Sequence, residues 1–151
     1  MTIEIRILKS EDRPLLDDVA ADVFDHAVHP DRAAEFLRDP RHHLAIASDD
    51  GQIVGFASGV HYVHPDKDPE LWVNEVGVAP SHQGLGLGKA IMRCLLAHAR
   101  HLGCREAWVL TDRSNAPAIR LYGSAGGEEA ADDLVMFTFP LEREESAPET
   151  G

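Results

Sequence analysis

Six consecutive residues, Gln83-Gly84-Leu85-Gly86-Leu87-Gly88, constrain this chain more than any other segment. They stand between an apolar run ending at Val78 and a helical pattern opening near Lys89. Glycine lets the backbone take φ > 0 and lets a ligand come close, while the unpaired N–H groups and dipole of a helix start attract an anion. A strand, glycine loop and helix in this order predict a phosphate-bearing ligand at the loop, within a sheet covered by helices.

Two common phosphate loops do not fit. A dinucleotide fingerprint read from Gly84 needs a third glycine at position 89, where Lys89 stands. A Walker A loop ending at Gly88-Lys89 needs glycine at position 83 and Ser or Thr at position 90, which are Gln83 and Ala90.

The rest of the chain supplies the elements around the loop. Ile3, Ile5 and Ile7 alternate as a half-buried strand does, and Leu15, Leu16, Val19, Val23 and Phe24 then follow helical spacing. Apolar runs at 43–48 and 53–62, separated by Asp49-Asp50-Gly51, predict an antiparallel hairpin. Leu71 to Val78 reads as a further strand, closed by Pro80. Met92, Leu95, Leu96, Ala99 and Leu102 mark a helix from Lys89 to Leu102, with Gly103 as its C-cap. Ala107 to Thr111 is a short strand, Asn115 caps a helix with Pro117 in its first turn that ends at Gly126 or Gly127, and Leu134 to Phe139 is a last strand. The expected class is α/β (α+β), with a mixed, mostly antiparallel sheet flanked by helices. Residues 1–141 form one domain in this reading, and 142–151 a disordered acidic tail.

Charge narrows the partners. Fourteen Lys and Arg against 26 Asp and Glu give a formal charge of −12, which repels nucleic acid and anionic lipid and draws in cations. Cys94 and Cys104 have neither redox-pair nor zinc-site spacing, and no run reaches the length of a membrane span, so a cytoplasmic protein with free thiols is expected. The pairs His61/His64 and His98/His101 lack Cys or Glu partners at zinc-site spacing, and no metal is assigned to them.

The loop and its flanks resemble the GNAT superfamily of N-acetyltransferases. Its pyrophosphate pattern, [Arg/Gln]-x-x-Gly-x-[Gly/Ala], is met by Gln83, Gly86 and Gly88. Glu75-Val76-Gly77-Val78-Ala79-Pro80 precedes it as the family's fourth strand does. A second segment in register, Asn115, Pro117, Ala118, Leu121, Tyr122 and Gly126, is similar to the family's Asn-x-x-Ala-x-x-[Leu/Phe]-Tyr-x-x-x-Gly. Softer matches over Phe36 to Leu141 resemble the type I aminoglycoside 3-N-acetyltransferases: Glu70 to Glu75, Asp112 and Val135-Met136-Phe137. Gly127 departs from the pattern by replacing an apolar residue, and Glu75 stands where that branch has Asp.

The resemblance implies acetyl-CoA as donor, in the cleft after the fourth strand, and a small cationic amine as acceptor, most specifically an aminoglycoside 3-amino group. The pyrophosphate is expected on Gln83, Gly84, Leu85, Gly86, Leu87 and Gly88, with Lys89 adding charge, and the pantetheine arm along the backbone of Val76, Gly77 and Val78. Asn115 is a CoA contact or a helix cap alone. An ammonium must lose its proton before it attacks, which makes Glu75 the candidate base, directly or through a water. Tyr122 matches the family's general acid, protonating the CoA thiolate. Asp112, Glu70 and Asn74 are candidates for the acceptor pocket, with Asp66 and Asp68 nearby. Strict alternation lets only one of Asn74 and Glu75 face the thioester. A different amine (polyamine, amino acid or peptide N-terminus) and a non-catalytic acyl-CoA sensor are the alternatives, and a homodimer through Trp72, Tyr62 or the last strand stays open.

Overall fold

The computed structural model describes residues 1–130 and 133–141, so the expected tail at 142–151 lies outside the described residues. Five strands form one sheet in the order β1-β2-β3-β4-β5: β1 (Ile3–Ile7), β2 (His42–Asp49), β3 (Gln52–Tyr62), β4 (Glu70–Val78) and β5 (Glu106–Val109). The first four pair antiparallel, and β5 joins β4 in parallel. Among the described residues three α-helices complete it: α1 (Pro30–Arg38), α2 (Leu87–His101) and α3 (Ala116–Ser124). This is the mixed α/β architecture expected from the loop and its flanks.

The β2–β3 turn forms as its residues require, with φ +49° at Asp50 and +87° at Gly51, the left-handed pair that matches the twist of a hairpin. α2 buries Ile91, Met92, Leu95 and Ala99 against the sheet. The face beneath it carries small side chains, Ala45 and Ala47 on β2 and Gly55 and Ala57 on β3, in register with one another. A Cβ on Gly55 would lie 2.8 Å from Ile91 Cδ1, so the glycine sets how closely the helix approaches. The other face holds Phe56, stacked on Phe24 at 4.1 Å between ring centroids.

Two expected elements differ. Residues 15–24 do not form an α-helix: a 3-10 helix spans Ser10–Asp17, and the chain then runs irregularly to α1, which the apolar periodicity does not predict. Val19 bridges Ile53 in parallel, and Asp22 adopts φ +63°, so this segment trades helical bonds for contacts with the sheet. The last strand is not formed either. Leu134 to Phe139 pair with no strand among the described residues and stay exposed. An apolar run supplies strand composition, but a strand exists only where it finds an edge to bond.

Candidate active site

The site begins where two strands part. β4 and β5 pair only over Glu70–Val73 and Glu106–Val109, and beyond Val73 the outer edge of β4 is open. Ala79 N–H donates to the Val54 carbonyl at 2.8 Å, and alternate residues of an antiparallel ladder bond inward, so Gly77 and Glu75 are turned toward β3. Val76 and Val78 therefore direct their N–H and C=O groups into the opening. Gln83 Nε2 donates to the outward Val78 carbonyl at 3.2 Å and ties the glycine loop to the strand end.

The register of β3 and β4 slips at Asn74, because Ser58 opposes Glu75 while Gly59 opposes Val73. This bulge corrects the expectation of strict alternation. Val73 faces α2 and is buried, but the extra residue places Glu75 on the opposite face with Gly77, and both Asn74 and Glu75 are exposed there. Gly77 is glycine for a packing reason. A Cβ there would meet the Val23 carbonyl at 2.4 Å, where the irregular 18–28 segment crosses the strand.

The glycine loop is exposed from Gln83 to Gly86, following the half-buried His82. Gly84 (φ +81°) and Gly86 (φ +76°) hold left-handed conformations, and a Cβ at either would meet nothing within 4 Å, so backbone geometry and open space coincide. Gly86 is the N-cap of α2, which starts at Leu87, two residues before the expected Lys89; Leu87 itself is buried and anchors the first turn. A Cβ on Gly88 would lie 3.3 Å from the Leu121 Cδ atoms, so the missing side chain leaves room for α3 beside the loop. Lys89 lies half-buried in the first turn of α2.

α3 carries Tyr122, half-buried, with its phenol pushed above its ordinary pKa by burial. The helix starts as expected, with Asn115 Oδ1 accepting from Ala118 N–H at 3.2 Å. Gly127 explains its own departure from the family pattern: a Cβ would sit 2.9 Å from the Tyr122 carbonyl, which accepts the Gly127 N–H.

The acceptor candidates are not gathered in one place. Asn74 adjoins Glu75, and Asp112 follows β5 past the point of separation, with its carbonyl accepting from Asn115 N–H. Glu70 lies at the far end of β4, held by Tyr62 Oη (3.3 Å), His64 (3.4 Å) and Lys67 (3.7 Å), and Asp68 pairs with Arg105. A cleft of about 500 Å³ that the sequence does not announce is lined by the 16–28 segment, including Asp17, Asp22, Phe24 and Asp25. The helical spacing of the apolar residues here disguises it, because on a helix the intervening carboxylates would be an ordinary solvated face.

A sequence family described as the Acetyltransferase (GNAT) family matches residues 6–126. Mycothiol acetyltransferase from Thermomonospora curvata is 40% identical over 126 residues, covering 76% of this chain and 40% of that protein. The chain thus spans less than half the length of that relative. An aminoglycoside acetyltransferase from an uncultured soil metagenomic sample, solved with sisomicin, superposes with a TM-score of 0.78 at 18% identity, covering 93% of this chain and 97% of that one. AAC(6')-Iy, solved with the bisubstrate analogue CoA-S-monomethyl-acetylneamine, gives a TM-score of 0.75 at 20% identity, covering 93% of this chain and 100% of that one.

Proposed function

The chain belongs to the GNAT family of acetyltransferases, and on that footing we propose that it transfers the acetyl group of acetyl-CoA to the amine of a small cationic acceptor. The observation that carries this reading is the joint between β4 and the glycine loop. An open strand edge at Val76 and Val78 leads directly into Gly84 and Gly86 at the N-terminus of α2. Such an edge suits an amide-bearing arm, and such a loop suits a pyrophosphate.

In the proposed reaction the neutral amine attacks the thioester carbonyl carbon, a C–N bond forms and the C–S bond breaks. Glu75 takes the proton that the ammonium must shed, and its place on the bulge keeps the carboxylate in solvent reach. An N–H from the open edge of β4 stabilises the developing oxyanion. Tyr122 gives its phenolic proton to the departing thiolate. Burial favours the protonated phenol, so the donor holds its proton before each turnover.

For the acceptor, the chain's charge of −12 and the carboxylates Asp17, Asp22 and Asp25 of the neighbouring cleft favour a cation. Aminoglycosides, as in the structural neighbours, and a mycothiol-type amine, as in the 40%-identical relative, are the two acceptor classes to try first. The 3-amino group of an aminoglycoside is the specific form of this proposal. Release of free CoA thiol from acetyl-CoA with a panel of aminoglycosides, a mycothiol-type amine, polyamines, amino acids and short peptides tests it. Thiol release with any of these amines supports the transferase, and acetyl-CoA binding without release across the panel rejects it.

A further inference from the structure

Trp72 on β4 and Trp108 on β5 are register partners, and their rings stack at 5.0 Å between centroids with 13° between planes. The pair stands on the sheet face opposite α2, because the buried neighbours Leu71 and Val73 point to the helix. That is also the face to which the bulge turns Glu75. Trp72 remains 38% exposed, high for an indole in the middle of a paired strand. The cleft formed by the 16–28 segment lies beyond Gly77, so Trp72 borders the other side of Glu75.

We propose that the Trp72–Trp108 pair binds a second cationic centre of the acceptor, so that this enzyme prefers di- and polyamines over monoamines. The inference rests on the acetyl transfer proposed above and specifies its substrate. An indole face attracts an ammonium through its quadrupole more strongly than any other side-chain ring. Carboxylates bracket the pair along the strands: Glu75 lies three residues after Trp72, and Glu106 two residues before Trp108. Neither forms an ion pair among the described residues, whereas Glu70, opposite Glu106, is already engaged by His64 and Lys67. Three residues of strand, shortened by the bulge, place the second cation about 7–10 Å from the reacting nitrogen.

Steady-state kinetics with straight-chain diamines, from diaminoethane to diaminooctane, against the monoamines of equal length test the proposal. We expect kcat/KM to peak at an intermediate diamine, about tenfold above its monoamine, as a cation–π contact would give. Trp72→Ala should erase that preference while leaving the monoamine value within about threefold, and Trp72→Phe should retain part of it. Trp72 and Trp108 are the chain's only tryptophans, so intrinsic emission reads the pair directly. The preferred diamine, added without acetyl-CoA, should change the emission saturably. Equal kcat/KM for mono- and diamines, or emission unmoved by saturating diamine, overturns the proposal. If no amine is acetylated, the proposed transferase function fails, and the emission titration still decides whether the pair binds a diamine.

Discussion

His82 joins two parts of the molecule that are far apart in sequence: its Nε2 lies 2.7 Å from Asp49 Oδ2 on the hairpin, and its Nδ1 lies 2.7 Å from Ser81 Oγ. The residue immediately before the glycine loop is thus moored to the end of β2. Both His82 and Asp49 are largely shielded, so the link is little weakened by solvent. Replacing His82 with Ala frees the entry to the loop without changing any residue assigned to the pyrophosphate. The KM for acetyl-CoA should rise several-fold at nearly unchanged kcat, and initial rates at varied acetyl-CoA check this.

Tyr122→Phe removes one hydroxyl from a half-buried ring and leaves the packing of α3 intact. General acids contribute about 10²–10⁴-fold, so kcat should fall at least about tenfold while the thermal midpoint stays put. Full activity in this variant would exclude the phenol as the proton donor.

His43 is buried between β2 and α2, with Nε2 2.7 Å from His61 Nδ1 and Nδ1 3.0 Å from His98 Nε2. Burial first, and then the neighbouring His98, His61 and His42, push its pKa down to about 4, with Asp39 opposing. The folded state therefore keeps His43 neutral, while the unfolded chain binds a proton near pH 6.5. Between these values the unfolded state holds more protons, so stability is full above about pH 6.5 and is lost as the pH falls toward 4. The loss is about 2–3 kcal/mol. His43→Leu should flatten this window, as read by urea midpoints from about pH 4 to 7.

Most of this architecture was legible because its signals are local. The Asp50-Gly51 turn, the Asn115 cap and the glycine loop each depend on a few adjacent residues whose backbone conformations are dictated by their own chemistry. The departures are tertiary. Nothing in Asn74 or its neighbours announces a bulge, yet the bulge decides which face Glu75 occupies. The helical spacing of Leu15 to Phe24 is real, but those side chains meet the sheet from a 3-10 turn and then an irregular segment whose Val23 carbonyl rests on Gly77. The cleft lined by residues 16–28 is hidden with it.

Gly77→Ala probes that contact. The new methyl would lie 2.4 Å from the Val23 carbonyl and 2.9 Å from Phe56 Cε1, and neither can swing aside as a flexible side chain would. Overpacking of this kind costs about 1–3 kcal/mol, visible as a lower urea midpoint. The 18–28 segment must lift, so the KM for the amine should rise more than that for acetyl-CoA. Gly84→Ala is the contrasting control, since its methyl meets nothing within 4 Å and only the positive φ is strained.

Glu75→Gln keeps the size and exposure of the side chain and removes its ability to accept a proton. With Glu75 as base, kcat/KM at neutral pH should fall by about 10²-fold or more. The deficit should shrink as pH rises, because a growing fraction of the amine is then already neutral and needs no base. A pH–rate series for the variant beside the unaltered chain checks both parts. A deficit that stays constant with pH would assign Glu75 to holding the cationic acceptor, since an attraction lost with the carboxylate is independent of what removes the proton.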